Sequence, residues 1–446
     1  MSKKESHTTE VTQAELELLE AMRTAPGLTP QITAMLKGFE AETAQGMDAY
    51  QAELHAVELT RKLGGLLLKQ WGEQTQEEQS RQSSLDPNLI KHGKKKLSWQ
   101  STFGPIKIEQ QVFRKKSTGV TSRPFLDYAK LSASGCSLLL KRRLVDFSSE
   151  RSMEDSGKAL KEHYGVKLSS TVINKVTQEA GRAAKEFNVD APSSEESAPL
   201  LVVEIDGSMV PIVEYGEASE EQKQAGKKHD RSCFWKEFRL CTVSLPGKVG
   251  TRYGVTDGLP FEAGCMMYQI CQYEGMDGDT QIHGVADGAP WIAEQFEEQF
   301  GANHKFYIDF YHTSEYLGNA SKELTANDLV GDAWYEQQKQ KLRESKAPEV
   351  HRDLAKKNDQ HPDQEAVESC LRYLGNRLEY LDYATALEQN LPIGSGEVES
   401  GHRSVLQKRL KKPGAWWLKE NAETMAQLKV VQSNGHWDDL WQKIAA

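Results

Sequence analysis

Residues 200–215 read LLVVEIDGSMVPIVEY. An apolar run of strand length ends on an acid, Asp206, turns at Gly207 and resumes as a second apolar run from Met209 to Val213. Apolar, β-branched runs broken at a glycine predict a buried β-hairpin with a carboxylate at its mouth. An ionised aspartate in such a sheet is costly unless it is paired or holds a cation. Asp206 therefore needs a partner from elsewhere in the chain.

Downstream, a polar stretch at 216–231 precedes a third strand, Phe238–Leu245 (FRLCTVSL), and 261–273 is helix-like. Gln281–Ala286 is a short strand ending at Asp287-Gly288, and 289–300 resumes as a helix with Ile292, Phe296 and Phe300 on one face. Phe306-Tyr307-Ile308 is a fifth strand that ends at Asp309. Three strands, helix, strand, helix, strand is the order of a ribonuclease H-like domain, so the expected fold class is α/β. Its first part covers 199–312. Residues 313–392 are charged and helical with no strand signal and read as an all-helical insertion, after which Gly394-Ser395-Gly396 opens a helix in a basic C-terminal region, 393–446.

Asp206 and Asp287 each end an apolar strand, and a third acid is available on the helix after Gly396 as Glu397 or Glu399. Three carboxylates on rigid elements suit hard cations such as Mg²⁺, with Mn²⁺ as substitute. Two such ions activate an attacking oxygen and stabilise the leaving one in phosphodiester cleavage and joining. At α-helical spacing Glu399 shares its face with His402, Arg403, Leu406 and Leu410, and Glu397 shares its face with Gly401, Ser404 and Lys408. The leucine face is expected to pack on the sheet, which favours Glu399 and leaves Glu397 as the alternative. Asp309 competes with Asp287 for the second position. It also opens D-x-x-H with His312, a histidine that either positions a substrate phosphate or is structural.

The chain has 446 residues and a formal net charge of −10, which speaks against wholesale nucleic-acid binding. The charge is uneven: Gly401–Lys419 contains Arg403, Lys408, Arg409, Lys411, Lys412 and Lys419 and no acid. Residues 1–88 read as an acidic helical region, with Leu16, Leu19, Leu54 and Val57 at helical spacings, ending in a Gln/Ser/Glu-rich linker from Gln74 to Asn88. Residues 89–190 read as a DNA-binding region. Lys91, Lys94, Lys95, Lys96, Lys107, Arg114, Lys115 and Lys116 flank the alternating segment Ile106–Phe113, a basic β-unit that either grips DNA backbone or is a solvated face. A helix over 152–163, a break at Gly165 and a second helix capped by Ser169 fit a helix-turn-helix or a generic helical pair. Ser170, Thr171, Asn174, Lys175 and Gln178 would line the exposed face of its second helix. The probable boundary is 188–198, around Pro192. No apolar run reaches membrane-spanning length, and the polar start MSKKESHTTE lacks a signal-peptide core, so no membrane partner and a cytoplasmic location are expected. Six cysteines form no C-x-x-C pair and read as free thiols.

The blocks IDGSMV, VADGAPWI, DFYHTSEYL and PIGSGEVESGHRSVLQKRLKKPGAWW together resemble bacterial insertion-sequence DDE transposases of the Kra-type group, related to the Mutator-like superfamily. The resemblance covers about 140–430 and is strongest in the last block. It implies Asp206, Asp287 and Glu399 as metal ligands, a helical insertion before the glutamate, a D-x-x-H signature at Asp309 and His312, and DNA-backbone contacts from Arg403 to Lys412, with Lys408 and Arg409 foremost. It further implies double-stranded DNA as partner, both terminal inverted repeats and target, a homodimer or higher assembly on DNA, and a nucleoid-associated bacterial protein. Trp416 and Trp417 either stack on splayed bases or pack in the core.

Overall fold

The computed structural model describes residues 12–24, 28–44, 46–131, 135–189, 194, 196–224, 229–327, 329–331 and 333–446; the polar start and Pro192 lie outside them. The chain forms two compact units that divide between Val176 and Thr177.

The first unit opens with α1 (Gln13–Thr24), α2 (Thr29–Thr43) and α3 (Ala49–Ser84). Asp48 caps α3 by accepting the Gln51 amide at 2.8 Å, while the Gln51 side chain accepts from the Asp48 amide at 3.3 Å. The helix then runs for 36 residues, through most of the stretch expected to be a linker. Glutamine and glutamate are good helix formers, so a Gln/Glu-rich composition without Pro or late Gly extends a helix rather than ending it. α3 lies on the antiparallel pair β1 (Leu89–Ser101) and β2 (Gly104–Lys115), to which β3 (Thr121–Ser122) adds a short edge. Trp99, Ile106, Ile108 and Phe125 form the core there. Gly72 lets α3 approach, since a Cβ would stand 3.1 Å from the Trp99 ring.

Four helices follow: α4 (Pro124–Tyr128), α5 (Leu138–Glu150), α6 (Met153–Tyr164) and α7 (Ser170–Val189). Ser152 caps α6, Gly165 ends it with φ +66°, and the Ser169 hydroxyl accepts the Val172 amide at 3.4 Å. The helical pair is thus preceded by a third helix, α5. α7 runs on past the division into the second unit.

The second unit contains β4 (Leu200–Glu217), α8 (Glu220–Gln224), β5 (His229–Ser244), β6 (Thr251–Thr256), α9 (Pro260–Tyr273), β7 (Gln281–Ala286), α10 (Pro290–Phe300) and β8 (His304–Ile308). They form one mixed sheet in the order β6-β5-β4-β7-β8, with β4 antiparallel to β5 and parallel to β7. The expected hairpin within 200–215 is instead one continuous strand. Gly207 stays paired with Arg239, and a Cβ at 207 would collide with the Glu237 carboxylate, so the glycine serves close approach and not a turn. β5 is longer than expected and β6 was not anticipated. Counting the halves of β4 as two strands offsets missing β6, so β7 is still the fourth strand.

α9 and α10 cover one face of the sheet. Gly254 and Gly284 permit this, because side chains there would strike Ile270 and Phe296. After β8 come α11 (Phe310–Ala326), α12 (Ala333–Arg343), α13 (Ala347–Gln360), α14 (Glu365–Gly375) and α15 (Tyr383–Glu388). They do not make a separate body, for Leu317, Leu342, Leu354, Cys370 and Tyr383 belong to the same apolar cluster as Val203 and Val285. The chain closes with α16 (Gly396–Gly401), a π-helical turn at His402–Gln407, α17 (Lys408–Leu410), α18 (Lys419–Ser433) and α19 (Trp437–Ala445). Among the described residues no helix is long and apolar enough to cross a membrane. Cys136, Cys241, Cys271 and Cys370 are buried, whereas Cys233 and Cys265 are exposed.

Gly284→Ala is expected to destabilise the second unit by about 1–3 kcal/mol, because the methyl must displace the Phe296 ring in a packed layer. Urea denaturation measures it; an unchanged midpoint would show that α10 can shift freely.

Candidate active site

The parallel ladder between β4 and β7 ends with Glu204 opposite Val285, and Asp206 and Asp287 each stand two positions further on. Alternation along a strand puts Asp206 on the same side of β4 as Glu204, and Asp287 directly follows the last residue of β7. Asp206 is about one-third exposed and approaches His402, whose Nε2 lies 3.0 Å from Oδ2. His402 is buried and neither ring nitrogen makes an aligned hydrogen bond, so the contact is a close approach of the ring to the carboxylate. Lys411 is close enough for the Asp206 charge to oppose the lowering of its pKa by burial.

Asp287 sits in a turn with Gly288 at φ +83°, and its Oδ1 accepts the Ala289 amide at 3.0 Å. The helical segment holds this turn from outside: Tyr373 donates its hydroxyl to the Asp287 carbonyl at 3.0 Å, and Arg377 Nε donates to the Gly288 carbonyl at 3.1 Å. The Arg377 guanidinium lies over the Tyr373 ring, which stacks on Tyr316 with centroids 4.0 Å apart. His312 is half-buried with its ring edge against Tyr316 and Tyr373.

Asp309 is placed differently from Asp287. It is buried and caps α11, its Oδ1 accepting the His312 amide at 2.8 Å. Its Oδ2 accepts both the Ser395 amide and the Ser395 hydroxyl, at 2.6 and 2.7 Å. Both oxygens are committed to neighbouring groups. Within D-x-x-H, the aspartate here is a helix cap.

Glu204 escaped the sequence reading, although an acid inside LLVVEI raises the same burial question as Asp206. It is 2 % exposed and its carboxylate accepts the Val398 amide at 2.8 Å. Burial, reinforced by the charges of Glu397 and Asp309 and opposed by the amides of Val398 and Glu397, pushes its pKa up to about 8. Glu397 is exposed and accepts the Thr251 hydroxyl at 3.2 Å, and Glu399 is exposed. The packed face of this helix carries Val398, Gly401, His402, Val405, Leu406, Arg409 and Leu410. Neither glutamate therefore lies on the leucine face where Glu399 was expected. The π turn at His402–Gln407 explains the difference, since it breaks the α-helical phase on which that expectation rested.

The basic segment separates into two kinds of residue. Arg403 and Lys408 are exposed, and Lys411 and Lys412 are half-buried. Arg409, expected on DNA, is 4 % exposed, with its guanidinium 4.5 Å from the Trp417 ring centre. Trp417 is itself buried and donates Nε1–H to the Leu410 carbonyl at 3.1 Å. Trp416 is exposed beside Trp235. In the first unit Lys91, Lys94, Lys95 and Lys96 are exposed along β1, and Lys107, Lys115 and Lys116 are exposed as well. Arg114 donates to the Gly119 carbonyl at 2.9 Å. Ser170, Thr171 and Lys175 are exposed on α7 and Asn174 is half-buried. Gln178, expected on that exposed side, is buried and accepts from Thr424.

Among the described residues, no three His, Cys, Asp or Glu side chains are grouped so that they could hold a metal ion. Asp206 and Asp287 offer oxygen donors of the right chemistry for Mg²⁺, but a third ligand is not brought to them in this arrangement, and Asp206 faces His402.

Glu204 yields a pH signature. Its carboxyl stays protonated in the native chain to about 8, against an ordinary value of 4.5 in the unfolded chain. Between those values the unfolded state binds fewer protons, so this residue makes stability fall as pH rises. In urea midpoints measured from pH 5 to 8, Glu204→Gln is expected to flatten that decline; parallel profiles would contradict it. Arg409→Ala is expected to cost about 1–2 kcal/mol of stability through the lost Trp417 contact, with DNA affinity unchanged by filter binding. No protein-family model matches the chain, and no curated protein matches it. Among solved structures it is similar to the Drosophila P element transposase strand transfer complex at 11% identity, over 68% of this chain and 80% of that chain, with a TM-score of 0.25. A likeness of that size leaves function to be argued from the residues.

Proposed function

We propose that the chain is a DDE transposase: it binds the terminal inverted repeats of a DNA element, cleaves at the ends and transfers 3′-hydroxyls into target DNA. The observation that carries this reading is the placement of Asp206 and Asp287, each two positions beyond the last pair of the parallel ladder between β4 and β7. The sheet order, 3-2-1-4-5 within the sheet with the second strand antiparallel, supports a ribonuclease H-like core. Glu399 on α16 is the proposed third acid, and Mg²⁺ the proposed cation with Mn²⁺ as substitute. Lys408, Arg403, Lys411 and Lys412 are proposed backbone contacts, with the β1 lysines and the exposed start of α7 as a second duplex-binding surface. Joining two ends calls for a homodimer or larger assembly on DNA, and the proposed setting is bacterial and nucleoid-associated.

A second reading is a DNA-binding protein that has lost chemistry, and the absence of a grouped ligand set among the described residues favours it. A labelled duplex carrying the element's ends, incubated with Mg²⁺ or Mn²⁺, separates the two. The transposase reading expects cut and joined products from the wild type. Asp206→Asn, Asp287→Asn and Glu399→Gln should lose at least about 10³-fold in rate, as removal of groups that act as a unit does, with end binding retained. Glu397→Gln should remain active. Binding without cleavage or joining by the wild type would establish the second reading, and cleavage without joining a simple nuclease.

A further inference from the structure

We infer that Glu204, His283 and Asp309 form a three-point clamp that seats the segment Pro392–Val398, and with it α16, against the strand ends. Their role as positioning residues rests on the reading of α16 as the carrier of the third acid. The three come from β4, β7 and the residue after β8, which are successive neighbours in the sheet. All three are buried, at 2 %, 3 % and 4 % exposure. Each directs a polar atom to the same seven-residue segment. Glu204 accepts the Val398 amide at 2.8 Å, His283 Nε2 donates to the Pro392 carbonyl at 2.7 Å, and Asp309 accepts the Ser395 amide and hydroxyl. A main-chain bond from the Phe310 amide to the Ile393 carbonyl, 2.8 Å, completes the attachment.

The segment needs such fixing. It contains Gly394 and Gly396, whose backbones have the widest conformational choice, and it immediately precedes the helix that bears Glu397 and Glu399. Gly394 is required where it stands, because a Cβ there would meet the Tyr311 ring at 2.6 Å. Packing therefore demands residues that leave the chain loose, and side chains of the sheet restrain it. Stability alone does not account for three buried ionisable groups, since apolar replacements of buried polar sets are often neutral or better. Register does: Glu204 and Asp206 lie on one side of one strand, so α16 is located relative to the strand that carries the first acid.

The test uses the full chain and three variants, Glu204→Leu, Glu204→Gln and Ser395→Ala. Amide hydrogen exchange over 393–399 and the joining rate at saturating DNA are both read. Glu204→Leu should raise exchange of the Glu397 and Val398 amides by about tenfold or more, as loss of a local restraint does. It should lower the joining rate by about 100-fold with end affinity within about threefold, the pattern of a misplaced reacting group. Glu204→Gln, which keeps an acceptor, should restore protection and most of the rate, and Ser395→Ala should raise exchange around 395–397. A folded Glu204→Leu with wild-type protection overturns the clamp. So does a Glu204→Gln variant that is fully protected yet as inactive as Asp206→Asn, for Glu204 would then belong to the chemistry. Should Glu204→Leu not fold, wild-type protection in Ser395→Ala overturns it. If the wild type joins no DNA, the functional reading fails, while the exchange comparison still decides the clamp.

Discussion

Over Val202–Glu204, β4 is hydrogen-bonded on both edges, to β5 on one side and to β7 on the other. A strand satisfied on both edges can be buried on both faces, and this one carries Leu201, Val203 and Ile205 into one layer and Val202 and Glu204 into the other. Beyond Glu204 the parallel partner stops while β4 continues beside β5 alone. Asp206 falls at that parting of strands, and Asp287 at the end of the strand that leaves. The acids are thus placed by where a ladder ends, and any residue that lengthened β7 would close the gap they share.

The surroundings of the two acids divide the work of holding them. Asp287 is supported through its main chain by Tyr373 and Arg377, so the helical segment after β8 reaches back to the strand ends. The segment before α16 is gripped by side chains of the sheet. Buried carboxyl groups commonly accept main-chain amides in this way, because a buried polar group left without a partner is costly. Glu204 and Asp309 do so while buried, whereas Asp206 remains one-third exposed and accepts the amide of its neighbour Gly207 at 2.7 Å.

Much of this was legible from residue order. The run α9, β7, α10, β8, the capped pair α6–α7 and the helices α11 to α15 follow from periodicity, Ser caps and Gly165. What was not legible depended on partners distant in sequence. Gly207 read as a turn because the Glu237 side chain that needs its space lies thirty residues on. Asp309 read as a rival ligand because its bonds go to Ser395. Arg409 read as a DNA contact from its place in the basic run a few turns after Glu399, yet Trp417 provides a ring for it. The facial assignment of Glu399 assumed an unbroken α-helix, and a π turn has no simple signature in composition.

The parting of β4 from β7 also leaves an edge. Strand backbone with free amides and carbonyls is adhesive, and proteins usually blunt it with proline, charge or a covering segment. Here Pro211 removes one donor, and the residues around Trp417 cover the rest: the Trp417 amide donates to the Pro211 carbonyl at 3.1 Å and the Val213 amide donates to the Trp417 carbonyl at 2.8 Å. The basic C-terminal stretch is consequently also a guard against aggregation. A chain cut short ahead of Trp417 would bare a sticky β edge flanked by Met209 and Tyr215, together with the apolar surface that α18 covers through Met425, Leu428 and Val431.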